Sequence, residues 1–198
     1  MQNLEEKIIK IITYYGGFAR AGQIELAGIP RIHLKPMVDS RKLIKQARGI
    51  YMLPGNSIDE MAILQRSYAN IIFSHATALY LHNLTDRAPL KYTVTLPMGC
   101  NIKSLSSKNI NCVYVKRDLW NIGVTKIKNA FGEVVKTYNK ERTICDIIKK
   151  RNFSDIQIIA DAIKQYLLRA DKDLLLLSKY AKLFRIEKRL RVYLEILL

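Results

Sequence analysis

The chain has 198 residues, 49% of them hydrophobic, which suits a folded protein of one large or two smaller domains and excludes a disordered chain. Lys and Arg number 33 against 17 Asp and Glu, a formal net charge of +16 that points to a polyanion such as nucleic acid or an anionic membrane surface. No apolar run approaches the ~18–20 residues that span a bilayer, and Met1 to Glu6 lack a secretory pattern, so a cytoplasmic protein without a membrane partner is expected.

In chain order, Leu4, Ile8, Ile11, Ile12 and Tyr15 make one stripe of an amphipathic helix, with Asn3 and Glu6 spaced as a capping box. Gly16-Gly17 ends it. Ala21 to Ala27 reads as a short second helix with Gly28 as its C-terminal cap. Pro30 opens a third helix, with Leu34, Met37 and Val38 facing inward. Ile32, His33, Lys35, Asp39 and Ser40 then point outward or to the flanks, and Lys42 stands at the end. Leu43 to Lys45 and Ile50 to Leu53 read as two strands joined by a turn at Gln46–Gly49. Pro54-Gly55-Asn56-Ser57 is a turn-rich linker, which puts a domain boundary between residues 55 and 56.

Apolar periodicity predicts helices from the linker to about Leu84. Strand-like runs follow at 91–96, 112–115, 124–127 and 133–138, then helices over about 140–151, 155–169, 171–185 and 186–198. The fold class expected is α+β: a winged helix-turn-helix over 1–55, then a mixed helix and strand domain over 56–198.

The helix–turn–helix–hairpin order, with the basic balance, makes duplex DNA the expected partner. Arg31, His33, Lys35 and Lys42 are the candidates on or beside the recognition helix, with Lys45 and Arg48 on the wing. Arg48 at a hairpin tip suits a narrow minor groove, where negative potential is enhanced. A winged helix can also serve as a protein-interaction module, its cations merely solvated. Pro36 and Asp39 stand against an ideal recognition helix: one removes a helical hydrogen bond, the other repels phosphate. Lys149, Lys150 and Arg151, and then Lys179, Lys182, Arg185, Lys188, Arg189 and Arg191, form a candidate second basic surface or simply solvated helix faces.

Nothing comparable points to catalysis. His75 and His82 lie seven apart, where helical metal pairs sit three or four apart, so a packed role is expected and neither a metal nor a cofactor. Asp171 and Asp173 form a D-x-D without the Gly-Ser turn that precedes it in nucleotidyltransferases, and they read as first-turn helix acids, as do Glu141 and Asp146. Cys100, Cys112 and Cys145 are widely spaced, with no C-x-x-C pair, which suits reduced thiols. The chain therefore reads as a binding protein and not an enzyme. A carboxylate site assembled only in the fold would escape this reading, leaving a DNA-targeted nuclease or nucleotidyltransferase as the rival from another class.

Several segments together resemble one family. Gly16-Gly17, Gly28-Ile29, Leu34, Val38, Leu43 and Arg48-Gly49-Ile50-Tyr51 are similar to the N-terminal domain of the AbiEi antitoxins. So are Phe73 to Leu79 with His82-Asn83-Leu84, Tyr92 to Pro97, and Glu141 to Asp146 in the domain that follows. The family pattern has a glycine where Arg41 stands and no proline at Pro36. The resemblance implies a bifunctional protein of an abortive-infection type IV toxin–antitoxin system. Its winged helix would repress its own operon by binding promoter repeats, as a monomer or weak dimer that is cooperative on DNA. Its C-terminal domain would counteract a cognate nucleotidyltransferase-type toxin without requiring a stable complex. The alternative within binding proteins is a plain transcription factor whose second domain dimerises or senses a ligand.

Overall fold

The computed structural model describes residues 4–55, 59–100, 105, 110–149 and 155–197. It is a mixed helix and strand protein of the α+β class. The chain divides into two compact units, Met1–Ala69 and Asn70–Leu198. The division falls later than the linker at residues 54–57 suggests, because a helix beyond that linker groups with the first unit.

The first unit runs α1 (Leu4–Tyr14), β1 (Phe18–Arg20), α2 (Ala21–Leu26), a 3-10 turn (Arg31–His33), α3 (Leu34–Asp39), β2 (Ile44–Ala47), β3 (Ile50–Met52) and α4 (Glu60–Ser67). Ile8 and Ile12, one turn apart on α1, are fully buried beside Ile24, Leu34, Met37 and Leu43. Leu4 and Tyr15, at the ends of the expected stripe, are exposed, and Asn3 lies outside the described residues. β3 is the central strand of a three-stranded antiparallel sheet ordered β1-β3-β2. The strand β1 lies in a stretch expected to be only a break. Its three residues pair across β3, Phe18 with Met52 and Arg20 with Ile50. Asp59 caps α4 by accepting the Ala62 N–H at 3.1 Å, and the Arg66 guanidinium lies 3.3 Å from the Phe18 ring centroid.

The second unit runs β4 (Ile72–Phe73), α5 (His75–Leu81), β5 (Thr93–Pro97), β6 (Asn111–Val115), α6 (Arg117–Trp120), β7 (Val124–Lys128) and β8 (Val134–Tyr138), then α7 (Lys140–Lys149), α8 (Ile156–Leu168), α9 (Leu174–Leu183) and α10 (Glu187–Leu197). Its sheet is ordered β6-β5-β4-β8-β7. The β4 strand, read as helix from the sequence, is the middle strand. It pairs antiparallel with β5 and parallel with β8.

Helices α5 and α7 to α10 form the main core of this unit, around Ile144, Ile147, Ile159, Ile163, Leu177 and Phe184. α7 is buried at every position from Glu141 to Ile148, polar residues included. Each buried polar group there needs a partner. The Tyr166 hydroxyl donates to Glu141 Oε1 at 2.9 Å, and Thr143 Oγ1 donates to the Asn139 carbonyl at 2.8 Å. All three cysteines are free, and burial pushes the Cys145 thiol up to about 12, which keeps it protonated and inert. No helix among the described residues is long and apolar enough to cross a membrane.

Candidate nucleic-acid interface

In the first unit the chain after α2 does not enter an α-helix at Pro30. Pro30 precedes the 3-10 turn, and α3 begins at Leu34. This late start resolves the difficulty posed by Pro36. As the third residue of α3 it sits in the first turn, where a backbone N–H has no helical partner anyway. Its carbonyl still accepts the Ser40 N–H at 2.9 Å. Leu34 and Met37 are buried and Val38 half-buried, the inward face expected.

The six candidate cations fall into three groups. Arg31, His33 and Lys35 lie on the 3-10 turn and the opening of α3, all exposed, so only Lys35 is on the α-helix proper. Lys42 follows α3, exposed. Lys45 and Arg48 belong to the β2–β3 hairpin, also exposed. Two of the six have carboxylate partners: Arg31 Nε meets Glu25 Oε1 at 2.7 Å, and Lys42 Nζ meets Glu5 Oε2. Exposed pairs of this kind contribute about 0–1 kcal/mol, so either cation can exchange its carboxylate for a phosphate at little cost. Asp39, the last residue of α3, is exposed and adds a negative charge to the same segment.

The hairpin turn is tighter and later than the sequence suggests. Ala47 pairs with Ile50, leaving Arg48-Gly49 as a two-residue turn, and the ladder shifts register between Lys45 and Ala47. Gly49 has φ +74, a left-handed value that glycine adopts without the penalty a Cβ would bring. Arg41, between α3 and β2, has φ +58, so a side chain occupies a left-handed position that glycine favours. That is where the resembled pattern carries its glycine.

In the second unit Lys149, Lys179, Lys182, Arg185, Lys188, Arg189 and Arg191 are all exposed on α7, α9, α10 and the turn between the last two. Arg189 Nη1 donates to the Lys149 carbonyl at 3.4 Å, so the two basic clusters of the sequence meet there. Lys150 and Arg151 lie outside the described residues.

The remaining polar candidates have structural partners. His82 Nε2 lies 2.6 Å from the Tyr138 carbonyl, so that nitrogen is the donor, and burial lowers the imidazole pKa. Asp173 caps α9 by accepting the Leu176 N–H at 2.8 Å. Asp171 precedes that helix instead of sitting in its first turn. Hydrogen bonds from Arg169 and Lys140 hold its carboxyl well below the usual carboxylate range. No group of three or more His, Cys, Asp or Glu among the described residues is arranged to hold a metal ion.

Asp146 departs from its sequence reading. It is the seventh residue of α7, not a first-turn acid, and it is buried against Arg142, whose Nε donates to Asp146 Oδ1 at 2.9 Å. Arg142 Nη1 also donates to the carbonyls of Leu119 and Ile122, and its guanidinium lies over the Tyr138 and Phe184 rings. The i, i+4 spacing of opposite charges was the one sequence signal for this pair, and such spacing usually marks a solvated helix face.

No protein-family model and no curated protein sequence matches this chain. Among solved structures, the chain resembles the crystal structure of RV2827C protein from Mycobacterium tuberculosis, with a TM-score of 0.60 at 12% sequence identity. The match covers 89% of this chain and 71% of that one. The likeness is one of fold.

Proposed function

We propose that this chain is a DNA-binding transcriptional autorepressor and antitoxin of the AbiEi type, with Met1–Ala69 as a winged helix-turn-helix. The observation that carries this reading is the company of the exposed cations. Arg31, His33 and Lys35 precede and open α3, while Lys45 and Arg48 occupy the hairpin that follows it, in a unit with its own core. One longer helix, two short ones and a β-hairpin in that order support a module that sets a helix in the major groove and a wing beside it. The net charge of +16 supports a phosphate-dominated contact. Counteraction of a nucleotidyltransferase-type toxin is assigned to the second unit on the resemblance of its segments, notably Glu141 to Asp146.

The test is binding of the full chain to a labelled duplex from upstream of its own gene, against a scrambled duplex of equal length. Tighter binding to the upstream duplex at moderate salt is expected. Equal affinity for both would remove sequence-specific repression from the account.

A further inference from the structure

The second unit contains a cavity of about 240 Å³ that plays no part in the proposed DNA contact. It is smaller than the ~300–1,000 Å³ typical of drug-sized pockets, which limits an occupant to a small molecule. Val113 and Val115 of β6, Leu119 of α6 and Phe184 after α9 supply apolar wall. Three features make it more than a packing gap.

The first is Asp146, which lines the cavity at 6% exposure. Its Oδ1 accepts from Arg142, but Oδ2 has no hydrogen-bond partner among the described residues. A buried carboxylate oxygen left so is costly and calls for a donor. The second is charge. Asp146 is the one carboxylate among the described lining residues and Arg142 matches it, which leaves Lys116 and Lys149, both exposed, as an excess of positive charge at the rim. The third is His75, also in the lining and 2% exposed. Its φ of +51, at the junction of β4 and α5, is strained backbone for a residue with a side chain. Such strain persists where surrounding structure holds it, often beside a ligand site. The Thr95 hydroxyl donates to Ser74 Oγ at 2.8 Å, and Ser74 Oγ lies 3.0 Å from His75 Nδ1, which fixes the ring in place.

We propose that this cavity binds a small organic anion with an apolar body. Its hydrogen-bond donor meets Asp146 Oδ2, and its carboxylate or phosphate lies by Lys116 and Lys149. Arg142 is a positioning residue: its contacts with the Leu119 and Ile122 carbonyls hold the wall, and its bond to Oδ1 fixes the Asp146 carboxylate at the lining. Binding here depends on the second unit alone, whatever the first unit contacts.

The test is a methyl-detected NMR titration of the full chain with three probes: 4-hydroxyphenylacetate, phenylacetate and phenyl phosphate. The Val113, Val115 and Leu119 methyl signals should shift with 4-hydroxyphenylacetate, which should bind about tenfold tighter than phenylacetate, since the latter lacks a hydroxyl donor. Asp146→Asn should erase that preference. Lys116→Glu with Lys149→Glu, both at exposed sites that do not threaten the fold, should weaken both carboxylates about fivefold or more. Tighter binding of phenyl phosphate than of phenylacetate assigns the anionic end to a phosphate, and weaker binding assigns it to a carboxylate. No shift of these methyls with any probe at about 5 mM, where even a millimolar Kd would register, overturns the proposal. So does equal affinity for the two carboxylates, or full affinity in the lysine variant.

Discussion

The backbone N–H of Ala21 donates to the carbonyl of Gly49 at 2.8 Å, tying the first residue of α2 to the turn between β2 and β3. The hairpin is thus held at its tip as well as along its ladder. Arg48, next to Gly49, is exposed on a turn whose backbone is fixed to a helix, not on a free loop. A cation anchored in this way loses little freedom when it meets a phosphate.

Gly49→Ala should therefore weaken the hairpin. A Cβ at φ +74 meets no heavy atom within 4 Å, so the penalty is backbone strain alone, about 1 kcal/mol. Urea unfolding should show a modestly lowered midpoint, and DNA affinity should fall with it. An unchanged midpoint would mean that the turn relaxes to another conformation without cost.

Arg31 and His33 precede α3, where a recognition helix meets base edges. Arg31→Ala or His33→Ala should blur discrimination at one or two base pairs, by about 1–3 kcal/mol for a true base contact. Competition of single-position operator variants against the parent duplex measures this. A uniform loss across all variants would make these residues phosphate contacts.

The Arg142–Asp146 pair is buried on both sides, with side-chain exposures of 1% and 9%. Arg142→Ala leaves Asp146 charged and unpaired, and about 3–5 kcal/mol of stability should be lost. Arg142→Met keeps most of the volume but not the charge, and with Asp146→Leu it should recover much of that loss. Thermal melts of the single and double variants check this. Gly123 is bound to the same arrangement: a Cβ there would lie 2.9 Å from Arg142 Cβ.

His82 predicts a pH dependence. Burial lowers its pKa from the ordinary 6.5, against the hydrogen bond to Tyr138 that raises it. The unfolded chain therefore binds this proton more readily than the folded one, so stability rises with pH through that window. The contribution is present above about pH 6.5 and is lost as pH falls toward the lowered folded value. Urea melts at pH 7.5 and 5.5 should show acid destabilisation that shrinks in His82→Gln. An equal pH response in both proteins would place the effect elsewhere.

Much of the second unit was legible because its periodicities are long enough to read. The runs at 112–115, 124–127 and 133–138 became β6, β7 and β8, and the helix expected over about 155–169 from the stripe Ile156, Ile159, Ala160, Ile163 and Leu167 became α8, although Ile156 is exposed. β1 and β4 were not, since strands of three and two residues carry no alternation and take their identity from their partners. Arg41 shows a subtler limit. Its φ of +58 is a left-handed position that glycine favours, and an arginine in the sequence gives no sign of it. The surface exposure of the six candidate cations was legible from residue type, whereas the carboxylates of Glu25 and Glu5 beside Arg31 and Lys42 came from the fold. Asp146 was hidden for the same reason, because burial across α7 depends on helices distant in sequence.

On the reading proposed above, neutralisation of DNA phosphates by the cations around α3 and the hairpin supplies most of the affinity. Its most direct measurement is the salt dependence of binding to the upstream duplex, for the wild type and for a variant with Lys35, Lys45 and Arg48 all changed to Ala. If ~5–6 phosphates are neutralised, log K should fall against log salt with a slope of about −5 in the wild type. The variant should be shallower by about one for each phosphate it no longer neutralises. A variant that folds and keeps the wild-type slope would contradict the account.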